Sequence, residues 1–286
     1  MRIESYNKLD QELIKSIQVL EKVCQVTDGT HRDIYLDSDF NFDLQMPSSF
    51  LAWEDNQLIG FLSIYADQAE EAEVSVIVHP KYRLQGVAAA LIERATKVKE
   101  QYQIQSFIFV SERHFIDNHP FIQEKLIEEA DTLEILMRAD SFDPSTIKES
   151  EVSIRIARPE DISEIALLQA NAFDETYELS ERYTRESLKS LENMVFVFLK
   201  HGEIVGSTAV NFTPTYYYLF SLAIHPGFQD QGVATDGIAQ VMEALAQIEA
   251  LRYQLSVEKT NLAARKLYAK NGFSEITEVV YLRSRY

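Results

Sequence analysis

A fourteen-residue phrase occurs twice in this chain. "HPKYRLQGVAAALI" runs from His79 to Ile92 and "HPGFQDQGVATDGI" from His225 to Ile238, with seven of the fourteen positions identical. Gly86 and Gly232 stand 146 residues apart (232 − 86 = 146), and the same spacing separates His79 from His225 and Gly60 from Gly206. A repeat of this length demands a fold that can be built twice, which constrains the chain more than any local propensity. Unchanged spacing predicts matched elements with no insertion. The copies also end alike, in "TLEILMRA" (Thr132 to Ala139) and "TEVVYLRS" (Thr277 to Ser284). Two similar domains are therefore expected, 1–140 and 151–286, joined through the polar, Pro144-containing stretch Asp140–Glu151. With 286 residues, 46% of them hydrophobic, each half can bury a core of its own.

The second copy shows its elements most clearly. Val152–Ala157 reads as a strand and Asp161–Phe173 as a helix entered through Pro159. Val195–Lys200 and Glu203–Val210 read as strands around the turn His201–Gly202, and Tyr216–Ile224 as a long strand. Gly232–Glu249 follows as a helix, Tyr253–Val257 as a strand, Asn261–Lys270 as a helix and Glu278–Arg283 as a strand. The first copy repeats this order from a helix at Leu9–Val23. The fold class is α/β (α+β): a mixed sheet flanked by helices, built twice.

The formal charge of −18 argues against nucleic-acid partners, whose phosphates need clustered Lys and Arg. An acidic surface suits cationic small molecules or peptides, although it also serves plain solubility. No apolar run reaches the roughly twenty residues of a membrane span, and the amphipathic start "MRIESYNKLDQELIKSI" is not a secretion signal. The single cysteine, Cys24, fits a reducing, cytoplasmic setting. The six histidines show no metal spacing, so no metal is expected, and His79 and His225 read as structural loop residues.

In both phrases a strand ends in a glycine-containing loop that opens a helix. The first N–H groups of a helix lack internal partners and carry its positive end, so such a loop can hold an anion. Glycine allows close approach to the backbone. Gln229–Ala234 and Arg83–Ala88 thus read as pyrophosphate cradles. A plain helix start would explain either loop alone equally well. In "TPTYYYLF", Tyr217 and Leu219 share one strand face, while Tyr216, Tyr218 and Phe220 share the other; one face suits the core and the other could line a pocket.

Together, "HPGFQDQGVA" and "NLAARKLYAKNGF" resemble the GNAT superfamily of acyl-CoA-dependent N-acyltransferases. Its coenzyme motif, Gln/Arg-x-x-Gly-x-Gly/Ala, is matched by Gln229, Gly232 and Ala234 and again by Arg83, Gly86 and Ala88. Its second motif is matched by Asn261, Tyr268, Gly272 and Phe273. The resemblance implies two tandem GNAT-like domains, each a mixed, largely antiparallel sheet, with the second domain catalytic. It implies acetyl-CoA as co-substrate and a primary amine of a small molecule or peptide as acceptor.

Residue by residue, it implies that the backbone of Leu222, Ala223 and Ile224 pairs with the pantetheine arm. Gln229, Asp230, Gln231, Gly232, Val233, Ala234 and Thr235 would hold the pyrophosphate, Asn261 the arm and Arg265 the ribose phosphate. Val76, Ile77, Val78, Arg83, Gln85, Gly86, Val87 and Ala88 are the corresponding first-copy positions. Tyr268 is the expected proton donor to the departing thiolate. Three departures stand out. The second copy shows no obvious carboxylate base, Glu258 being a weak candidate; its cradle carries Asp230 and Asp236 rather than a basic side chain. The first copy keeps Glu73 and Arg83 but has Phe115, Ile122 or Phe121, and Leu126 where Asn, Tyr and Gly belong. The alternative is a catalytically silent acyl-CoA-binding or interaction module.

Overall fold

The computed structural model describes residues 1–128, 133–147 and 149–284, so Lys148 of the expected linker lies outside the described residues. The chain divides into two compact units, Met1–Glu134 with Thr277–Tyr286, and Ile135–Ile276. These bounds differ from the expected 1–140 and 151–286 at the last strand of each copy.

The first unit begins with β1 (Arg2–Tyr6), α1 (Gln11–Asp28), β2 (Ser49–Glu54), β3 (Gln57–Tyr65) and β4 (Glu71–Val78). It continues through α2 (Val87–Gln101), β5 (Ser106–Glu112), α3 (Arg113–Asn118) and β6 (Leu126–Glu128). Asp10 starts α1 by accepting the N–H groups of Glu12 and Leu13 at 3.0 and 2.9 Å. Alternation along the strands divides the core. Phe50, Ala52, Leu62 and Ile64 pack with Val87, Leu91, Ala95 and Val98 of α2. Leu51 and Phe61 pack with Ile17, Leu20 and Cys24 of α1.

The second unit comprises β7 (Glu134–Ala139), β8 (Val152–Ile156), α4 (Ile162–Phe173), α5 (Tyr177–Lys189), β9 (Asn193–Lys200) and β10 (Glu203–Phe212). β11 (Tyr216–Ile224), α6 (Val233–Ala246), β12 (Arg252–Glu258) and α7 (Leu262–Lys270) complete it. Its strand order is β7-β12-β11-β10-β9-β8, mixed and largely antiparallel. One face packs Val233, Ile238, Val241, Met242 and Leu245 of α6 against Phe196, Phe198, Tyr217 and Leu219. The other packs Ile165 of α4 against Val195, Val197 and Ala209. The last strand, β13 (Ser274–Ser284), pairs antiparallel with β5 from Val279↔Glu112 to Leu282↔Phe109, and with β6. It therefore completes the first unit, whose strands run β1-β2-β3-β4-β5-β13. β7, read from sequence as the end of the first domain, lies beside β12.

Two elements go beyond the sequence pattern. β1 is a short edge strand, and α5 has no counterpart in the first unit between Asp28 and Ser49, which lacks a helix there. The buried residues of α5 are Ser180, Thr184 and Ser187. Thr184 donates to the Ser180 carbonyl at 2.8 Å and lies 3.3 Å from Gln169 Oε1. Gln169 in turn reaches Ser207 Oγ at 3.5 Å, giving α4, α5 and β10 a buried polar seam.

The expectation of no insertion needs correction. Tyr65 pairs with Glu73, whereas Asn211, the counterpart of Tyr65, pairs with Tyr218. The equivalent rungs are thus 145 apart on this strand (218 − 73 = 145). A β-bulge then restores the spacing: Ser207↔Ala223 and Ala209↔Phe220 leave Thr208 facing both Ser221 and Leu222. Ser221 takes φ +52°, and Thr208 Oγ1 donates to the Phe220 carbonyl at 3.1 Å. A hairpin one residue shorter and a bulge one residue longer cancel, so the constant spacing of the glycines conceals both.

Candidate active site

β11 and β12 run parallel and pair over three rungs, Tyr216↔Arg252, Tyr217↔Tyr253 and Tyr218↔Gln254. β11 then continues to Ile224 and β12 to Glu258, with no further rung between them among the described residues. In the first unit β4 and β5 part in the same way after Val74↔Phe109. That strand has no bulge, so parting belongs to the repeat rather than to the bulge. On β11 the partings leave Leu222, Ala223 and Ile224 with one edge on β10 and the other without a strand partner, a backbone edge that an extended arm can pair with.

The cradle follows at once. Gly232 is the N-cap of α6 at φ +81°, with Asp230 two residues earlier at φ +58°. Gly86 and Leu84 repeat the pattern at φ +84° and +59°. Glycine is the residue that adopts this backbone without strain. Space is not what requires it: a Cβ on Gly232 would meet only Asp236 Oδ2 at 4.0 Å, and one on Gly86 nothing within 4 Å. Val233, Ala234 and Thr235 open the first turn of α6, where backbone N–H groups lack intrahelical partners, and the Val233 side chain is core.

The glutamines shape the loop instead of reaching outward. Gln229 Nε2 donates to the Ile224 carbonyl at 3.2 Å and Gln231 Nε2 to the Gly227 carbonyl at 2.8 Å. Arg83 Nε on the Val78 carbonyl (3.0 Å) and Gln85 Nε2 on the Lys81 carbonyl (2.9 Å) do the same work in the first unit. His225 and His79 accept the N–H two residues on through Nδ1, at 3.1 and 3.2 Å, the structural part expected of them. Lys200, which the sequence did not single out, brings Nζ within 3.4 Å of Gln231 Oε1 and 3.5 Å of Glu151. It puts a cation beside a loop that carries Asp230, while Asp236 is engaged by Ser150 Oγ at 2.6 Å. The only signal would have been Glu54 at the matching first-copy position, a reversal of charge.

α7 follows β12. Asn261 is its N-cap, its Oδ1 accepting the Ala264 N–H at 3.0 Å. Arg265 is engaged within the protein: Nε and Nη2 hold Glu275 at 3.0 and 2.5 Å, and Nη1 donates to the Lys259 carbonyl at 2.7 Å. Tyr268 is 8% exposed, its ring 5.8 Å from that of Phe273. Burial first, and then the neighbouring Tyr218, push its phenol well above the ordinary tyrosine range, so it keeps its proton. Tyr217 and Leu219 are core, Tyr217 donating to the Leu245 and Glu249 carbonyls, while Tyr216, Tyr218 and Phe220 are half-buried on the other face. Glu258 is exposed at the end of β12.

The first unit differs where the resemblance fails. Its strand residues Val76, Ile77 and Val78 are half-buried, Val87 is core and Ala88 half-buried in the first turn of α2. Val78 O accepts from Cys24 Sγ at 3.4 Å besides Arg83. The Arg83 guanidinium is held by both Asp28 oxygens at 2.7 and 2.6 Å and lies 5.8 Å from the centre of the Phe115 ring, which stands where the second unit has Asn261. Its charge is committed within the protein.

The sequence matches the family model described as "Acetyltransferase (GNAT) family" over residues 14–124 and again over 160–273. No curated protein is a sequence match. Among solved structures, a GCN5-related N-acetyltransferase from Sphaerobacter thermophilus is similar at TM-score 0.72 and 17% identity, covering 99% of this chain and 95% of that one. A tandem GNAT protein from the clavulanic acid biosynthesis pathway is similar at TM-score 0.68 and 13% identity, covering 98% of both chains. An acetyltransferase of the GNAT family from Colwellia psychrerythraea is similar at TM-score 0.64 and 13% identity, covering 100% of both. At these identities the structures share a fold, and the two family matches carry the assignment: the chain belongs to the GNAT acetyltransferase family, as a member with two tandem copies of the fold.

Proposed function

We propose that this protein is an acetyl-CoA-dependent N-acetyltransferase, that its active site lies in the second unit, and that its acceptor is a primary amine of a small molecule or peptide. The observation that carries the reading is the parting of β11 from β12 directly before the glycine loop that opens α6, with Tyr268 buried on α7. The backbone edge at Leu222–Ile224 would align the thioester arm and the amides of α6 the pyrophosphate, with Lys200 adding positive charge. The amine nitrogen bonds to the thioester carbonyl carbon, and a strand N–H near Ala223 would stabilise the oxyanion. As the C–S bond breaks, Tyr268 gives sulfur a proton. Asn261 and Arg265 enter only with their present partners exchanged or shared. The committed Arg83 supports one coenzyme per chain, in the second unit. No helix among the described residues is long and apolar enough to cross a membrane; together with the lone, buried Cys24 this supports a cytoplasmic setting.

Asp230 and Asp236 near the cradle favour a second reading, a silent acyl-CoA-binding module. Thiol release from acetyl-CoA with a panel of primary amines separates the two. The parent should turn over. Tyr268→Phe should lose roughly a hundredfold in kcat, the low end of general-acid assistance, with acetyl-CoA affinity intact. Binding without thiol release would establish the silent module, and a variant rate within about twofold of the parent would remove Tyr268 from the mechanism.

A further inference from the structure

β7, whose sequence belongs to the first copy, brings a cation to the second unit. Along β7, Ile135, Met137 and Ala139 pack into the core that α6 covers, together with Tyr253, Leu255 and Val257 of β12 and Tyr217 and Leu219 of β11. Alternation puts Arg138, Gln254, Ser256, Tyr216 and Tyr218 on the opposite face. Gln254 stands on the rung Tyr218↔Gln254, the last before β11 and β12 part, and Arg138 Nη2 donates to its Oε1 at 3.1 Å. Gln254 is 2% exposed and Arg138 half-buried. Among the described residues neither side chain makes another hydrogen bond, and Arg138 has no ion pair. A half-buried guanidinium without a carboxylate stands out in a chain where Asp and Glu outnumber Lys and Arg by 45 to 27. Its partner is a neutral amide, which aims the guanidinium without neutralising it.

We infer that Arg138 and Gln254 hold a carboxylate of the acceptor, so that the substrate class is a primary amine that also carries a carboxylate. The guanidinium N–H groups that Gln254 leaves unused can take both carboxylate oxygens side by side, with Gln254 Nε2 as a further donor. Position along the strands sets the reach. Beyond the last rung, Ser256 continues this face of β12, while β11 runs on through the bulge to Leu222, where the thioester arm is proposed to pair. Discounting the bulge residue, Leu222 lies three strand steps past Tyr218 (222 − 218 − 1 = 3), roughly 10 Å. A carboxylate seated at Arg138 therefore belongs on a chain of several atoms from the amine. The α6 face offers no such path, since Tyr217, Leu219, Tyr268 and Phe273 fill it as core.

The inference rests on the acetyltransferase reading, and the experiment separates their failures. Thiol release from acetyl-CoA is measured with matched amines, 6-aminohexanoate against hexylamine and lysine against 1,5-diaminopentane, for the parent, Arg138→Ala and Arg138→Lys. Calorimetry with 6-aminohexanoate, with and without free coenzyme A, reads binding independently of turnover, and thermal denaturation checks the fold. The parent should favour the carboxylated member of each pair in kcat/KM. Arg138→Ala should lose that preference through KM, by roughly tenfold to 150-fold as expected for a hydrogen bond to a charged group, so that the members of each pair become equivalent. Arg138→Lys, which keeps the charge without the planar donor pair, should recover part of the loss. A parent that treats both members alike overturns the inference and leaves the enzyme reading standing. Equal losses on both members in Arg138→Ala mark a packing role and also overturn it. A parent that releases no thiol but binds 6-aminohexanoate through Arg138 overturns the enzyme reading and keeps the carboxylate site. Neither thiol release nor binding overturns both.

Discussion

Gly232→Ala and Gly86→Ala form a matched pair. The two glycines have nearly the same backbone, φ +81° and +84°, and each caps a helix without a side-chain bond. An added methyl would meet only Asp236 Oδ2 at 4.0 Å in one case and nothing within 4 Å in the other. Crowding inside the protein therefore contributes nothing, and each variant bears only the cost of a left-handed alanine, about 1–2 kcal/mol. Thermal denaturation should show similar losses. Their effects on acetyl-CoA should part. On the proposed assignment, a methyl at position 232 adds bulk beside the first amides of α6, which a phosphate would have to approach. Losing one hydrogen bond to a charged oxygen, worth about 1.5–3 kcal/mol, weakens Kd by roughly tenfold to 150-fold. Gly86→Ala should leave affinity and the stoichiometry of one per chain unchanged in calorimetry. Unchanged affinity in a folded Gly232→Ala protein, or weakening in Gly86→Ala, would refute the assignment of the coenzyme to the second cradle.

Two further outcomes concern the fold. Glu21 on α1 is buried, its Oε1 accepting the Ile34 N–H at 2.6 Å, and burial pushes its carboxyl from 4.5 up to about 8. The folded state then holds a proton that the unfolded chain has released, so stability falls as pH rises between about 4.5 and 8, by an amount on the order of a few kcal/mol. Denaturation midpoints at pH 5 and pH 8 should fall more in the parent than in Glu21→Gln, and parallel falls would contradict the argument. Gly237 lies inside α6, where a Cβ would come within 2.6 Å of the Phe198 ring. Gly237→Ala should destabilise by about 1–3 kcal/mol despite its better helix propensity, and Phe198→Leu in the same chain should recover part of the loss.

The left-handed helix starts at Gly86 and Gly232 were legible because glycine there leaves a chemical signature, and the two motif copies carried the family. What the sequence hid has identifiable causes. α5 buries Ser180, Thr184 and Ser187 instead of an apolar stripe, so no hydrophobic period announces it. The bulge at Ser221 was cancelled by a shorter hairpin, which concealed the shifted register of Tyr218. Arg265 was placed by its helix position alone, and nothing local to it foretold Glu275 on the following strand. The exchange of last strands was invisible because "EILMRA" and "VVYLRS" are similar enough to suit either sheet.

Because β13 belongs to the first unit, that unit is drawn from both ends of the chain, while the second, Ile135–Ile276, is one contiguous stretch inserted between them. On the ribosome, β5 can pair with β4, but its other edge must wait until everything in the second unit has been made, since residues 279–282 supply the partner there. A clone ended near residue 140 would expose that edge and carry β7 without β12, inviting aggregation rather than yielding an independent domain. The same arrangement ties the fates of the two copies during evolution. The first can lose its chemistry freely, but it cannot be deleted without taking β7 from the copy proposed to retain that chemistry.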